Sequence, residues 1–422
     1  MRQLWQTLTR RRSLRDPRGR QALRQGGGQR SGVALLVVMT TVLILTVLVT
    51  DLAYTARVRF LVTAHRVDRQ QAWWMARSGV EIYELLILAD REMGDMIEQF
   101  AGDLGIDNLL EMVPQINTGL LTMLMASTGS SGLDEDDEEL QAQAQAALEG
   151  TEAVSDEVRE KAIEEGGGLF SERSWLDMPG DFAAEVQLED CRININLLRS
   201  ATTATLEESP TYQLMLGRMA GDENEAWLRE RDLTARDLIA NLVDWVDADS
   251  TRAGNRGGYE DSDYQNQEPP YHAKNGAFET MDEIRLVEGW QDEVYDRFAE
   301  QFTIYGSGKL NISCEDQQID WAILHSSFVQ NPPLNDQSAQ EYIDLINEQR
   351  LLGFLNTPKE YVAFLRQIGV EPSNELQGML TNKTSVYRII STGLVGSSAV
   401  TMTQVSQFDS RGRNTMLYYR VE

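Results

Sequence analysis

Six carboxylates are the residues of this 422-residue chain best suited to chemistry: Asp244, Asp247, Asp249, Glu260, Asp261 and Asp263. They flank a loop rich in Gly and Asn, Arg252-Ala-Gly-Asn-Arg-Gly-Gly-Tyr259. Calcium takes six to eight oxygen ligands in a flexible sphere, which carboxylates and backbone carbonyls supply. Helical periodicity over residues 234–246 ends where Asp247 and Asp249 begin, so their side chains can leave the helix and converge with the loop acids. The loop holds little apolar material, and a cation would order it. An EF-hand is excluded, because the D-x-D-x-D-G run and its closing Glu are missing. The same residues allow two other readings. One is a solvated acidic loop with Asp244 paired to Arg236 or Arg252, and the other is a hydrolase using Asp244 and Asp247 as acid and base.

Other chemistry is poorly provided for. There is no G-x-S-x-G, no P-loop, and no His beside a Cys or Ser with an orienting acid, so the chain is not expected to be an enzyme. His65, His272 and His325 show no zinc spacing. Cys191 and Cys314 are too few for a disulfide framework; an oxidising compartment allows one bridge between them, and sequence alone does not fix their proximity. The net charge of −28 and pI near 4.5 repel phosphates, which excludes nucleic acid and suits divalent cations or basic partners. Residues 278–290, FETMDEIRLVEGW, resemble a helix-hairpin-helix, but Glu279, Asp282, Glu283, Glu288, Asp292 and Glu293 turn away anions and leave it a packing role.

The elements that must position these residues begin with an apolar run. From Val33 to Thr50 no residue is charged, and at 1.5 Å per residue the run spans ~27 Å, close to a bilayer core. Nine arginines precede it (Arg2, Arg10, Arg11, Arg12, Arg15, Arg18, Arg20, Arg24 and Arg30) against Asp16 alone, which keeps this end cytoplasmic and exports the rest. A cleaved signal peptide is disfavoured: no small-x-small site follows the run, and helical periodicity continues to Ala89. Residues 90–130 are helical in pattern, broken by Gly102, Gly105 and Pro114. Leu133–Gly168 is an acidic, Ala/Gln-rich stretch that cannot bury much surface and reads as a solvated insertion, partly helical or disordered. From Asp181 the period becomes two, and Cys191–Leu197 continues as strand. Helical sequence follows over about 203–300. A second strand motif at Lys309–Ser313 echoes Arg192–Asn196, and with the units at Phe278 and Leu355 this suggests a duplicated strand-plus-helix element. Ser385–Thr392, Ala399–Gln407 and Thr415–Val421 alternate as an antiparallel meander.

The N-terminal pattern resembles type IV pilins and the pseudopilins of type II secretion, in which a prepilin peptidase cuts after a Gly closing a basic leader. Gly32 matches that residue and makes Val33 the first of the mature chain. The leader is long for the family, and Val33 stands where Phe is usual. Gln71–Glu81 is similar to the family's Q-A-x-x-x-A-R-[AS]-G-[IV]-E. The fifth mature position is Val37, where the family carries a Glu that meets the preceding subunit's amino group. A subunit without that Glu suits the first place in a filament, the mark of the K-type minor pseudopilins. That resemblance extends through I-N-I-N at 193–196, L-V-D-W-V-D-A-D at 242–249, P-P-Y at 269–271, K-N-G-A-F at 274–278, E-I-R-L-V-E-G-W at 283–290, L-N-I-S at 310–313 and Y-R-I-I-S-T-G at 387–393.

The resemblance implies an α+β fold, a long N-terminal helix on an antiparallel sheet with a large helical domain inserted between strands. It adds weight to calcium, which the helical domains of this family bind. The expected parts are a leader to 32, a transmembrane and pilin helix over 33–91, an acidic insertion over 92–168 and first sheet strands over 169–202. A helical domain over 203–308, a second strand-helix element over 309–384 and C-terminal strands over 385–422 complete the chain. It implies a single-pass protein of the bacterial inner membrane with its bulk in the periplasm, capping the pseudopilus and helping to start its assembly for protein export. The partners implied are the I- and J-type minor pseudopilins, the major pseudopilin, the prepilin peptidase and the inner-membrane assembly platform. The alternative is a solitary membrane-anchored calcium-binding protein or carboxylate hydrolase.

Overall fold

The computed structural model describes residues 30–101, 110, 115–118, 121, 180–200, 206–254, 257–314, 317–327, 334–409 and 411–422. The leader up to Gln29 and the acidic stretch Leu133–Gly168 lie outside them. The chain divides into two units, Met1–Arg66 and Val67–Glu422.

Helix α1 runs from Arg30 to Ala101. In the first unit its side chains face outward although they are apolar: Leu35, Val38, Leu43, Ile44 and Leu48 are all more than half exposed. With a mean hydropathy of 2.8 and none of its apolar window buried, this helix is long and apolar enough to cross a membrane, where such a surface is stable. The hydroxyls of Thr41, Thr46 and Thr50 donate to the carbonyls of Val37, Val42 and Thr46, so no side-chain donor is left unmet in hydrocarbon.

In the second unit the helix carries a buried stripe: Ala72, Met75, Ala76, Val80, Tyr83 and Ile87 recur at the three- and four-residue spacing of one face. The strands are β1 (Gln115–Asn117), β2 (Asp181–Leu188), β3 (Ile193–Asn194), β4 (Phe302–Thr303), β5 (Leu310–Asn311), β6 (Leu380–Thr381), β7 (Val386–Val395), β8 (Ser398–Phe408) and β9 (Asn414–Val421). Five make one antiparallel sheet in the order β1-β2-β7-β8-β9. The helical stripe packs on it with Phe182, Ala184, Ile389, Val400 and Met402. The last three strands are the meander that the alternation predicts, each somewhat longer than its sequence run. Gly396 takes a positive φ in the tight turn between β7 and β8.

Two glycines bring helix and sheet together. A Cβ on Gly79 would run into the Ser391 hydroxyl and the Phe182 ring, and a Cβ on Gly393 into the backbone of Ala72 and Ala76. The glycines of the A-R-S-G and I-S-T-G motifs are thus the two sides of one contact.

Two expectations need correction. Cys191–Leu197 does not continue the sheet: a 3-10 turn at Glu189–Cys191 ends β2, and β3 pairs in parallel with β4 instead. Alternation of Ile and Asn looks like strand whichever partner it meets. Within the region expected to be an insertion, β1 pairs antiparallel with β2 and is an edge of the sheet.

The helical region carries α2 (Pro210–Arg218), α3 (Asp222–Arg229), α4 (Ala235–Val246), α5 (Asp292–Phe298), α6 (Gln317–Ser327), α7 (Asp336–Leu351), α8 (Pro358–Gln367) and α9 (Asn374–Met379). One apolar core runs from Ile193 to Leu380 with no break near residue 308, and Gly217 of α2 lies directly on the backbone of Ala322 in α6. Two parallel strand pairs organise it, β3 with β4 and β5 with β6. In each, an Asn braces the turn that follows: Asn194 Oδ1 accepts from Asn196 N, and Asn311 Oδ1 from Ser313 N. A disulfide joins Cys191 to Cys314, with Cα atoms 5.9 Å apart, and so ties the turn just before β3 to the segment just after β5.

Charged groups fasten this region to the sheet. Glu189 is buried and accepts from Arg192, Arg388 of β7 and the Thr303 hydroxyl of β4. Asp190, also buried, accepts from the backbone amides of Ser385 at 2.6 Å and Val386 at 3.3 Å.

The glycine contact makes a graded prediction. Gly393→Ala drives a methyl into backbone that cannot yield, whereas Gly79→Ala meets side chains. Thermal unfolding of the full chain should show a loss of about 1–3 kcal/mol for Gly393→Ala and a smaller one for Gly79→Ala. Equal, negligible effects would show that helix and sheet do not meet there.

Candidate metal site in the loop after the buried helix

The site begins with α4. Thr234 caps it, its hydroxyl accepting from Asp237 N at 3.1 Å, and Leu238–Val246 are buried without interruption. At Asp247 the backbone turns extended, so the carboxylate departs from the helix axis just below the core. The chain then loops out and returns, closed by a bridge between Thr251 and Tyr259.

Asp247, Asp249 and Glu260 each present a carboxylate oxygen within 4.8 Å of the others. Calcium–oxygen distances near 2.4 Å put opposed ligands about 5 Å apart, so this spread matches one ion's sphere. Asp247 is 4% exposed and Glu260 2%, yet both oxygens of Asp247 and Oε1 of Glu260 have no hydrogen-bond partner among the described residues. A buried carboxylate without a partner is costly. Burial, reinforced by Asp249 and Asp244, pushes Asp247 up to about 6. Burial pushes Glu260 up to about 8, with Asp247, Asp244, Asp249 and Asp261 adding to it. Oxygens that are buried, crowded and unpartnered fit a divalent cation.

The other predicted acids do different work. Asp244 is buried and its Oδ1 accepts from Ala253 N at 2.6 Å, holding the first turn of the loop. Arg236, one expected partner of Asp244, instead pairs with Glu207 at 3.1 Å. Asp249 is exposed and accepts from Thr251 N at 2.8 Å and from the Thr251 hydroxyl, which together hold it below the usual carboxylate range. Asp261 accepts from His272 Nδ1 at 2.9 Å and Ala273 N at 3.0 Å, is lowered by them, and anchors the far end of the loop. The side chain of Asp263 lies outside the described residues.

Asn275 was not singled out by sequence reasoning. Its Nδ2 donates to the Asp249 carbonyl at 2.7 Å, its Oδ1 is buried without a partner among the described residues, and its φ is positive. The signal was the K-N-G at 274–276, a turn sequence beside an acidic loop. Asn275 and Glu260 help line a cavity of about 240 Å3 with Ser250, Tyr259, Asp261, Ser262 and Gln265. Beneath the loop, Trp245 packs against Tyr264, Tyr271 and Phe278. The helix-hairpin-helix-like stretch serves packing: Trp290 is fully buried and donates from Nε1 to the Leu238 carbonyl at 2.9 Å, fixing α4. Among the remaining expected site residues, Gly32 and Val33 lie in the first turns of α1, and Val37 is an exposed apolar residue on the same helix.

Residues 191–307, which include this site, match the family model described as type II secretion system (T2SS), protein K. Among solved structures, the chain is similar to the crystal structure of the GspK-GspI-GspJ complex from the enterotoxigenic Escherichia coli type 2 secretion system. The identity is 17%, with 67% of this chain and 98% of that chain covered and a TM-score of 0.42. A search of curated proteins returns no match. The resemblance to K-type minor pseudopilins read from the sequence is borne out by the family match over this domain.

The raised carboxylates predict an unusual pH response. Metal-free folded chain retains protons on Asp247 and Glu260 that the unfolded chain releases, so their ionisation opposes folding as pH rises through about 6 and about 8. In chelator, the contribution of these two groups to stability should therefore grow as pH falls from 8 to 5. The Asp247→Asn, Glu260→Gln double variant should flatten that dependence relative to wild type in thermal melts. Matching slopes for the two proteins would refute this assignment.

Proposed function

Starting from the match of residues 191–307 to type II secretion protein K, we propose that this chain is the minor pseudopilin that caps the pseudopilus and helps start its assembly. The observation that carries the reading is the size of the helical region joined to the sheet. A single core from Ile193 to Leu380 stands between two adjacent strands of a five-stranded sheet. A subunit of that bulk suits the end of a filament, where nothing stacks above it. Val37 supports the same place, since an apolar side chain at the fifth mature position offers no carboxylate to a preceding subunit's amino group.

In this reading the apolar run of α1 anchors the chain once in the inner membrane, with the bulk in the periplasm. A prepilin peptidase removes the leader after Gly32, and Val33 becomes the first residue. The I- and J-type minor pseudopilins, the major pseudopilin and the assembly platform are its partners. Helix association in lipid rests on close packing, and the Val-, Leu- and Thr-rich face of α1 is built for it.

We assign calcium to Asp247, Asp249 and Glu260, with Asn275 Oδ1 and loop carbonyls as further oxygens and Asp263 as a candidate from sequence. A bound cation would neutralise the buried carboxylates and order residues 247–275. The role is structural. Asp244, the partner a two-carboxylate hydrolase would need, is committed to Ala253 N.

Three outcomes are expected. The mass of the protein from membranes should correspond to a chain starting at Val33, and to the full leader when the peptidase is absent. A chain uncut in both cases, or cut after Thr50, would end the pseudopilin assignment. Val37→Glu should still leave the subunit out of the filament shaft, read by cross-linking to the major pseudopilin, because the helical region is unchanged in bulk; normal entry into the shaft would overturn the tip assignment. Asp247→Asn should weaken calcium binding at least tenfold by isothermal titration, whereas unchanged affinity would move the ion elsewhere.

A further inference from the structure

The part of α1 just past the apolar run is an exception to the acidity of this chain. After Asp51 the next charged residues are Arg57, Arg59 and Arg66, joined by His65, with no acid between Arg57 and Arg66. The four side chains are exposed, and none forms an ion pair among the described residues. Several arginines of the second unit do pair: Arg192, Arg350 and Arg388 hold buried carboxylates, and Arg285, Arg297 and Arg413 pair at the surface. Exposed aromatic residues, Tyr54 and Phe60, are interleaved with the cationic ones.

Depth and direction both bear on what these groups meet. At 1.5 Å per residue, Arg57 and Arg59 come ~10–14 Å beyond Thr50, and a long side chain folding back reaches the headgroup layer bordering the hydrocarbon. At ~100° per residue the two arginines project about 200° apart, with Tyr54 and Phe60 filling directions between them. A contact with one neighbouring helix would gather these residues on a single side. A collar on all sides suits surroundings that are the same all round, which the headgroup layer is, and cationic and aromatic side chains are the types that settle there.

We propose that Arg57 and Arg59 bind phosphates of anionic phospholipid headgroups on the side of the membrane away from the leader. Tyr54 and Phe60 sit in the same layer, and together they fix the depth of the helix. The general acidity of the chain does not oppose this, because it is carried by residues beyond the collar and is screened over about one Debye length. The inference rests on the membrane anchor proposed above and adds a lipid class to it. With cleavage after Gly32 the nine leader arginines are lost, and Arg57 and Arg59 become the first basic side chains of the mature chain.

The test uses the mature chain beginning at Val33, free of the leader arginines, reconstituted in phosphatidylcholine vesicles carrying trace spin-labelled phosphatidylglycerol or spin-labelled phosphatidylcholine. The motionally restricted fraction of each probe reports its preference for the protein. Wild type should favour phosphatidylglycerol, and Arg57→Gln and Arg59→Gln should each reduce that preference on the order of fivefold. Arg57→Lys with Arg59→Lys should retain it, and added salt should weaken it. An undiminished preference in the double Gln variant overturns the proposal. So does loss of the preference on adding inorganic phosphate at constant ionic strength, which would mean a free-anion site. Gln variants that keep the lipid preference but no longer co-purify with the I- and J-type subunits would assign the arginines to a protein contact instead. A chain stripped from the vesicles by alkaline carbonate would remove the anchor itself, an outcome distinct from an inserted chain indifferent to lipid charge.

Discussion

Leu188 and Tyr387 are paired neighbours in the sheet, and between them the chain makes its whole helical excursion. That pairing is the constraint on which the second unit depends. Adjacent antiparallel strands lie about 4.8 Å apart, so the helical region must begin and end almost at one point. Glu189 and Asp190 stand at that point. One gathers Arg192, Arg388 and Thr303, and the other takes the amides of Ser385 and Val386 as the chain returns. Without these acceptors the departing and returning segments would bring polar backbone and charge into a buried corner unmet.

Buried carboxylates recur in this protein, and their partners sort them. Glu189 and Asp320 meet arginine; Asp320 takes both guanidinium nitrogens of Arg350 at 2.8 and 3.0 Å and the Tyr361 hydroxyl at 2.7 Å. Asp190 and Asp244 accept from backbone amides, and their work is to hold turns. Both oxygens of Asp247 and Oε1 of Glu260 are buried without a hydrogen bond of good geometry among the described residues. Their repulsion is a local cost that the surrounding packing of Trp245 and Tyr264 keeps in place. A cation would convert that cost into a set of ligands, which is why we propose a metal at this loop and not at the other acidic corners.

The parts legible in the sequence were those governed by period. The apolar run, the helical stripe from Ala72 to Ile87 and the C-terminal meander each repeat with the spacing of their element. Pairing is another matter. Nothing in I-N-I-N distinguishes a sheet strand from a two-residue strand that pairs in parallel with Phe302–Thr303, because both bury Ile and leave Asn to brace a turn. The three residues Gln115–Asn117 that edge the sheet sit in sequence too irregular to announce them. In the loop, composition pointed to all six acids alike. Direction separates them: Asp261 turns to His272 and Ala273, Asp244 to Ala253, and Asn275 enters from a segment whose acid content is low.

The two short parallel strand pairs have a wider consequence. β3 with β4, and β5 with β6, bring the ends of residues 193–303 and 310–381 back together. Each stretch is therefore a closed cassette whose entry and exit share a doorway. For a host sheet, admitting a cassette of this kind costs the entropy of closing one loop, which grows only with the logarithm of its length. A fold arranged this way can lengthen or shorten the loops of either cassette while the core they share holds the two together and the host strands keep their register.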